Sequence, residues 1–155
     1  MTKEDRKNAY LYCKFRDEQF ALYDEYAKRN GILMKTLLVV NVLFYDKVYE
    51  KGGMTQRDIC ARTFQSKQTV NLIIRNLLNA AYVTVEARKE NRREKLVQMT
   101  DAGRAYCEGA VRHITWAEDT AMSLFSLEEQ ELLINLSRRF TENLTKLIHQ
   151  ETEEL

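Results

Sequence analysis

Two short helices with separate start signals constrain the fold of this chain more than any other feature. The first begins after Thr55, where Asp58 completes a near capping box, and it is expected to end at Ala61. A turn at 62–65 follows, and Ser66 is the expected N-cap of a second helix. That second helix runs to about Ala80 and carries apolar residues at helical spacing, at Val70, Ile73, Ile74, Leu77 and Leu78. The pattern predicts a helix-turn-helix.

The hydrophobic periodicity changes directly after these two helices. Segments 82–85 and 95–99 are β-prone, and they flank a charged stretch. We expect a hairpin with a basic tip that carries Arg88, Lys89, Arg92, Arg93 and Lys95. A capped helix-turn-helix followed by a basic hairpin is the arrangement of a winged helix.

Long helices are expected on both sides of this unit, because the chain contains no proline to interrupt them. Thr100 and Ser126 are the expected N-caps of the last two helices, and Glu129 completes a capping box with Ser126. Helical patterns cover the segments 3–29, 34–49, 101–124 and 127–150. The predicted fold class is therefore mainly α with a small β-hairpin wing, in the order four helices, two strands and two helices.

The net charge of +1 hides an asymmetry along the chain. Between Met54 and Met99 there are nine Lys and Arg against four Asp and Glu, whereas residues 100–155 have five against eleven. A locally basic surface can bind DNA although the whole chain is nearly neutral, because each neutralised phosphate releases counterions. The charge pattern thus indicates that the middle of the chain faces a polyanion.

The leading turn of the second short helix carries side chains suited to reading bases, namely Lys67, Gln68, Thr69 and Asn71. In a helix-turn-helix this turn lies near base edges, where Gln and Asn can pair with adenine, Lys with guanine and the Thr methyl with thymine. Arg75, on the same face, is expected to meet a phosphate, and Thr55 and Ser66 at the two helix starts complete this part of the candidate DNA surface. In an isolated helix such residues are more often a solvated polar face.

The basic hairpin tip has two interpretations. A charged tip alone is more often a feature of solubility. On a narrow protrusion, however, an arginine can enter a minor groove whose width concentrates negative potential. The position of the tip directly after two capped helices favours DNA binding.

The segment from Met54 to Gly103 ends in a hydrophobic-Thr-x-x-Gly pattern, Met99-Thr100-Asp101-Ala102-Gly103. Together with the helix-turn-helix and hairpin before it, this pattern resembles the signature region of the MarR family of transcriptional regulators. The resemblance implies that Ser66 to Ala80 is the recognition helix and that Arg88 to Lys95 is the wing.

By the same resemblance Arg93 is the arginine that enters the minor groove. The family often has Asp-x-Arg in the wing, whereas this chain has Asn91-Arg92-Arg93, so the brace on the arginine is expected to be weaker. The glycine usual before the first wing strand is Ala81, which costs about 1 kcal/mol if the left-handed backbone is kept.

Dimerisation is expected, because paired half-sites are read by two recognition helices about 34 Å apart. We expect a single MarR-like domain, 1–155, with the winged unit at about 33–100 and dimerisation helices at about 1–30 and 101–155. The last helix supplies an apolar stripe of Leu132, Leu133, Leu136, Phe140, Leu144, Leu147 and Ile148. The alternative is that the terminal helices pack only within one chain.

The resemblance further implies a cleft between the dimer helices and the winged unit for a small-molecule effector, which the sequence does not identify. Tyr12, Phe15, Tyr23 and Phe44 could line such a cleft, but aromatic residues at helical spacing are more often core. We predict no cofactor.

Cysteine and histidine residues give little sign of a reactive or metal site. Cys13 beside Lys14 is the only candidate for oxidant sensing by a thiolate, although a buried structural thiol is the commoner case, as also for Cys60. His113 and His149 lack partners at ligand spacing, so no metal is predicted.

The predicted function is a sequence-specific transcriptional regulator, expected as a repressor, that binds a pseudo-palindromic operator as a homodimer. No motif of an enzyme is found, and the absence of a signal sequence or long apolar run predicts a cytoplasmic protein without a membrane segment. The alternatives are a winged-helix module for protein interaction and a nonspecific DNA binder without operator readout.

Overall fold

The computed structural model describes residues 1–46, 53–87 and 95–153. Within these ranges the chain forms six helices and three strands: α1 (Lys3–Arg29), α2 (Met34–Asp46), β1 (Met54–Thr55), α3 (Gln56–Thr63), α4 (Lys67–Asn79), β2 (Val83–Ala87), β3 (Lys95–Met99), α5 (Asp101–Ser123) and α6 (Leu127–Glu153). The predicted fold class is confirmed, since α3 and α4 form a helix-turn-helix followed by the β2–β3 pair.

Three helices begin where local side-chain chemistry predicts. Thr55 and Asp58 form a capping box at α3, and the Ser66 hydroxyl accepts a hydrogen bond from the backbone N–H of Thr69 at α4. Glu129 and Ser126 exchange hydrogen bonds at the start of α6, over 2.8 and 3.2 Å. These bonds satisfy backbone groups that the first turn of a helix leaves unpaired.

The sheet contains one strand more than the sequence predicts. β3 pairs antiparallel with β2 from Val83 opposite Met99 to Ala87 opposite Lys95, and β1 pairs with its other edge, Thr55 opposite Leu96. The order is therefore β1-β3-β2. A strand of two residues is too short to display alternation, so Thr55 is recognisable in the sequence only as a cap.

Several predicted boundaries shift. The predicted α2 extends to Tyr49, but residues 47–52 lie outside the described residues. α3 continues to Thr63 rather than Ala61, and α6 continues to Glu153 rather than Gln150. No described helix is both long enough and apolar enough to cross a membrane.

The chain divides into two compact units, Met1–Arg112 and His113–Leu155. The first unit holds every buried hydrophobic side chain among the described residues, from Ala27 to Val111, with Ile59, Val70, Val83 and Val97 joining the two short helices to the sheet. The second unit consists of the latter part of α5 and of α6, and none of its described hydrophobic side chains is buried. The single-domain expectation stays a prediction.

Candidate nucleic-acid interface

The predicted recognition helix α4 has one buried and one exposed face. Its apolar residues Val70, Ile73, Ile74 and Leu77 are buried in the core of the first unit. Most of the residues proposed to contact DNA are exposed: Lys67, Gln68, Asn71 and Arg75. The helix is thus held by its apolar side while an uncharged polar and basic side faces solvent, as a recognition helix requires.

The start of α4 is fixed by a local network. Ser66 Oγ lies 3.2 Å from the donating Thr69 N–H and 2.9 Å from Thr69 Oγ1. The Gln56 amide of α3 donates to the Lys67 carbonyl oxygen over 3.2 Å. The Ser66 and half-buried Thr69 hydroxyls therefore already serve the helix cap, so a DNA contact would have to share them.

Thr55 has a structural role at the start of α3. Its hydroxyl donates to Asp58 Oδ2 over 2.7 Å and accepts from the Asp58 backbone N–H over 3.1 Å. Because the hydroxyl has one proton, which Asp58 receives, Thr55 could contact DNA only as an acceptor or through its methyl group. Its role in DNA binding stays a prediction.

The turn between α3 and α4 contains an aromatic residue that the sequence prediction missed. Phe64 ends α3 with φ of 52°, in the left-handed region, and its side chain is 95% exposed. The adjacent Gln65 side chain donates to the Lys35 carbonyl oxygen of α2 over 3.0 Å. A bulky apolar residue inside an otherwise polar turn is the signal that could have identified Phe64.

Leu72 is a second missed residue on the exposed side of α4. It is 50% exposed and follows Gln68 by one helical turn, which puts it on the same face. An aliphatic side chain there can contact a thymine methyl group. Leu72 does not share the helical spacing of the buried series that begins at Val70. This difference in spacing is the signal in the sequence that could have identified Leu72 as exposed.

The predicted wing is described only at its strands. Lys95 is exposed and lies opposite Ala87 at the distal end of the β2–β3 ladder. The other candidates at the wing lie outside the described residues: Arg88, Lys89, Asn91, Arg92 and Arg93. Their contacts with DNA stay predictions.

The Thr-x-x-Gly pattern joins α5 to the segment between the recognition helix and the wing. The Thr100 backbone N–H donates to the Tyr82 carbonyl oxygen over 3.0 Å, and the Thr100 hydroxyl donates to the Ala81 carbonyl oxygen over 2.8 Å. The same hydroxyl accepts from the Gly103 N–H over 3.0 Å. One threonine thereby caps α5 and anchors the base of the wing.

Two residues at this junction have backbone requirements. Ala81 adopts φ of 58°, so the expected left-handed backbone is confirmed at a non-glycine residue. A Cβ on Gly103 would lie 2.0 Å from the Tyr82 carbonyl oxygen. The glycine of the pattern is therefore needed for close approach of two backbones.

The aromatic residues considered for an effector cleft differ in environment. Phe44 is buried, with the Arg104 guanidinium 4.5 Å from its ring centroid, so the core interpretation is right for it. Tyr12 and Phe15 are exposed on α1, so that interpretation is wrong for them within a single chain, and Tyr23 is half-buried. Nothing here assigns a ligand to these residues.

The cysteines fall into two environments. Cys107 is fully buried, and desolvation raises the pKa of its thiol to about 11, so it stays protonated near neutral pH. Its Sγ lies 3.8 Å from Met99 Sδ. Cys13 and Cys60 were expected to be fully buried, but both are half-buried. Cys107 is thus a structural thiol.

Comparison with known proteins gives one family and a common fold. Residues 48–94 match the sequence model of the MarR family. No protein in a search of curated sequences matches the chain.

Three solved structures illustrate the structural similarity. NMB1585, a MarR family regulator from Neisseria meningitidis, has a TM-score of 0.74 and 18% identity, covering 97% of this chain and 99% of its own. The S. aureus MepR–DNA complex has a TM-score of 0.63 and 22% identity, covering 92% and 96%. Bordetella bronchiseptica BpsR, whose DNA binding is regulated by 6-hydroxynicotinic acid, has a TM-score of 0.66 and 19% identity, covering 86% and 91%. At these identities the likeness establishes the fold.

Proposed function

We propose that this chain is a member of the MarR family, from the match of its helix-turn-helix segment and from its fold, and that it is a cytoplasmic, homodimeric repressor that recognises a pseudo-palindromic operator. The observation that carries this proposal is the exposed face of α4, where Lys67, Gln68 and Asn71 lead a helix whose other face is buried. Such side chains can hydrogen-bond base edges when a helix lies in the major groove. The MepR structure with DNA supports this use of the fold.

The proposed homodimer is supported by the second unit. The apolar stripe of α6 is largely exposed in the single chain, where Leu133, Leu136 and Leu144 are each at least 40% exposed. α1 also exposes several aromatic side chains, including Tyr10 and Phe15. Apolar surface of this extent is unusual on a monomer and is typical of a protein interface. A second copy would place two recognition helices on one duplex.

Release by a small-molecule effector is a further part of the proposal. The likeness to BpsR, whose DNA binding a small aromatic acid regulates, favours it. An effector can change DNA affinity only if it binds the DNA-competent and the incompetent conformations differently.

The first experiment is selection from a randomised duplex library at two salt concentrations, with sequencing of the bound fraction and light scattering for stoichiometry. Enrichment of a pseudo-palindrome by two chains per site is the expected result. Binding without enrichment would favour a nonspecific DNA binder. No binding at low salt would reject the proposal in favour of a protein-interaction module.

Replacing Gln68 by alanine is expected to weaken operator binding selectively. The exposed amide can make a bidentate contact with adenine, so Gln68→Ala should cost about 1–3 kcal/mol at particular base pairs. Competition with operators altered at single positions measures this selectivity. Asn79→Ala, at the exposed end of the same helix, is the control and should leave the preference unchanged. Equal loss on every sequence would contradict base reading by Gln68.

Replacing Arg93 by alanine is expected to weaken binding more uniformly. An arginine in the minor groove neutralises phosphates mainly through its charge, so the variant should also lower the slope of log affinity against log salt by about 1. Titrations at several salt concentrations, on operator and on unrelated duplex, measure both effects. An unchanged slope would remove Arg93 from the proposed interface.

A further inference from the structure

Phe64, in the turn between α3 and α4, has a backbone and side-chain conformation that contributes little to the stability of the folded chain. Its backbone is left-handed, at φ of 52°, where Cβ approaches the following carbonyl oxygen and glycine is usual. Its ring is 95% exposed and so gains almost no burial within the chain. The left-handed backbone costs stability in a residue that has a Cβ, and the exposed ring adds little burial in return.

The backbone around Phe64 is nevertheless firmly held. On its N-terminal side the Thr63 hydroxyl donates to the Ile59 carbonyl oxygen over 2.7 Å. On its C-terminal side the Gln65 amide donates to the Lys35 carbonyl oxygen over 3.0 Å. The ring is therefore presented to solvent from a turn that is tied on both sides, so a contact requires ordering of the Phe64 side chain and little further ordering of the backbone.

The charges near Phe64 indicate what kind of molecule it meets. From Ile59 to Val85 the chain contains no Asp or Glu, while Arg62, Lys67 and Arg75 are all exposed. Phe64 thus lies in a segment of the chain, 59–85, whose charged residues are all cationic, and an exposed ring in such a segment fits a partner that is negatively charged and also presents apolar groups. Duplex DNA does so, through its phosphates, deoxyribose rings and thymine methyl groups.

We propose that Phe64 is a DNA-contacting residue whose ring packs against deoxyribose and thymine methyl groups at the edge of the major groove, beside the leading turn of α4. Phe64 precedes the N-cap Ser66 by two positions, so it lies at the end of the recognition helix that approaches the bases. This inference rests on the proposed function. It adds an aromatic contact to a surface composed of polar and charged side chains and of Leu72.

The test measures the affinity of Phe64 variants for a fluorescein-labelled duplex that carries the sequence enriched from the library. Phe64→Gly and Phe64→Asn both remove the ring, and both residues tolerate a left-handed backbone. Each should lose affinity on the order of tenfold, since a phenylalanine ring no longer leaves water on binding. Phe64→Tyr keeps the ring and should bind close to the wild-type level.

Ala81→Gly is the matched control, because Ala81 is the other described non-glycine residue with positive φ, at 58°. Glycine relieves backbone strain at either position, so Phe64→Gly and Ala81→Gly should each raise Tm by a few degrees, on the order of 2–4 °C. Only the substitution at Phe64 should lower DNA affinity. If Phe64→Gly has a higher Tm and a lower DNA affinity than the wild type, the loss of affinity is due to a lost contact with DNA and not to poorer folding.

Three results would overturn the inference. If Phe64→Gly and Phe64→Asn bind the duplex like the wild type, the ring makes no contact, and operator binding itself still stands. If light scattering finds that these variants lose self-association, the ring packs against a second copy instead of DNA. If the wild-type chain binds no duplex at low salt, the proposed function and this inference both fail.

Discussion

Gly103→Ala is expected to destabilise the protein by about 3–4 kcal/mol and to lower Tm by roughly 10 °C. The added methyl carbon would lie 2.0 Å from the Tyr82 carbonyl oxygen and 2.8 Å from its carbonyl carbon. Because the obstructing atoms are backbone, the start of α5 must move away from Tyr82. That movement strains the hydrogen bonds from Thr100 to the Tyr82 and Ala81 carbonyl oxygens. Thermal unfolding followed by circular dichroism measures the loss.

Gly109→Ala on the same helix is the control and should have the opposite sign. A Cβ at Gly109 meets no atom within 4 Å. Alanine loses less backbone entropy than glycine on entering a helix, so this variant should gain about 0.5–1 kcal/mol. If the two alanine variants had equal stability, the close approach of α5 to the base of the wing would not be the reason for glycine at position 103.

Placing two glutamates in the α6 stripe, by Leu136→Glu and Leu144→Glu, is expected to convert the proposed homodimer into a monomer. Both leucines are exposed in the single chain, and charges at these positions would have to be desolvated in a dimer. A monomer engages one half-site at a time, so the affinity for a full operator should fall by about 10²–10⁴-fold. Light scattering and titration with the full operator measure the two effects.

The control for this variant carries the same added charge on the opposite side of α6, by Asn135→Glu and Thr145→Glu. Both positions are exposed, and the control should stay dimeric and bind normally. The core of the first unit contains no residue of α6, so the winged unit of the monomer should stay folded. A circular dichroism spectrum of the variant tests this. A stripe variant that remained dimeric with full affinity would mean that another surface forms the dimer.

Most of the secondary structure could be predicted because its signals are local. Thr55 with Asp58 and Ser126 with Glu129 begin helices through hydrogen bonds that span three residues, and both capping boxes form as predicted. The buried series of α4 follows from the helical period, which also identifies Gln68 and Arg75 as exposed. Each of these properties depends on neighbours within one or two helical turns.

The candidate site was predicted less completely, because its remaining features depend on contacts between distant segments. Phe64 lies in a left-handed turn between α3 and α4 and is exposed, whereas the apolar residues that these helices bury lie in the core. β1 exists only because Met54 and Thr55 lie beside β3, a pairing that two residues cannot signal. Phe44 is covered by Arg104, which is distant in sequence.

The amino-acid sequence by itself determined the helix-turn-helix, the order of helices and strands, the basic middle segment and the polar face of α4, because capping, periodicity and charge are properties of adjacent residues. Only the tertiary structure decided the third strand, the exposure of Phe64 and the need for glycine at position 103. Those features arise where segments distant in sequence come into contact. At Gly103, for example, α5 lies so close to Tyr82 that no Cβ fits between the two backbones.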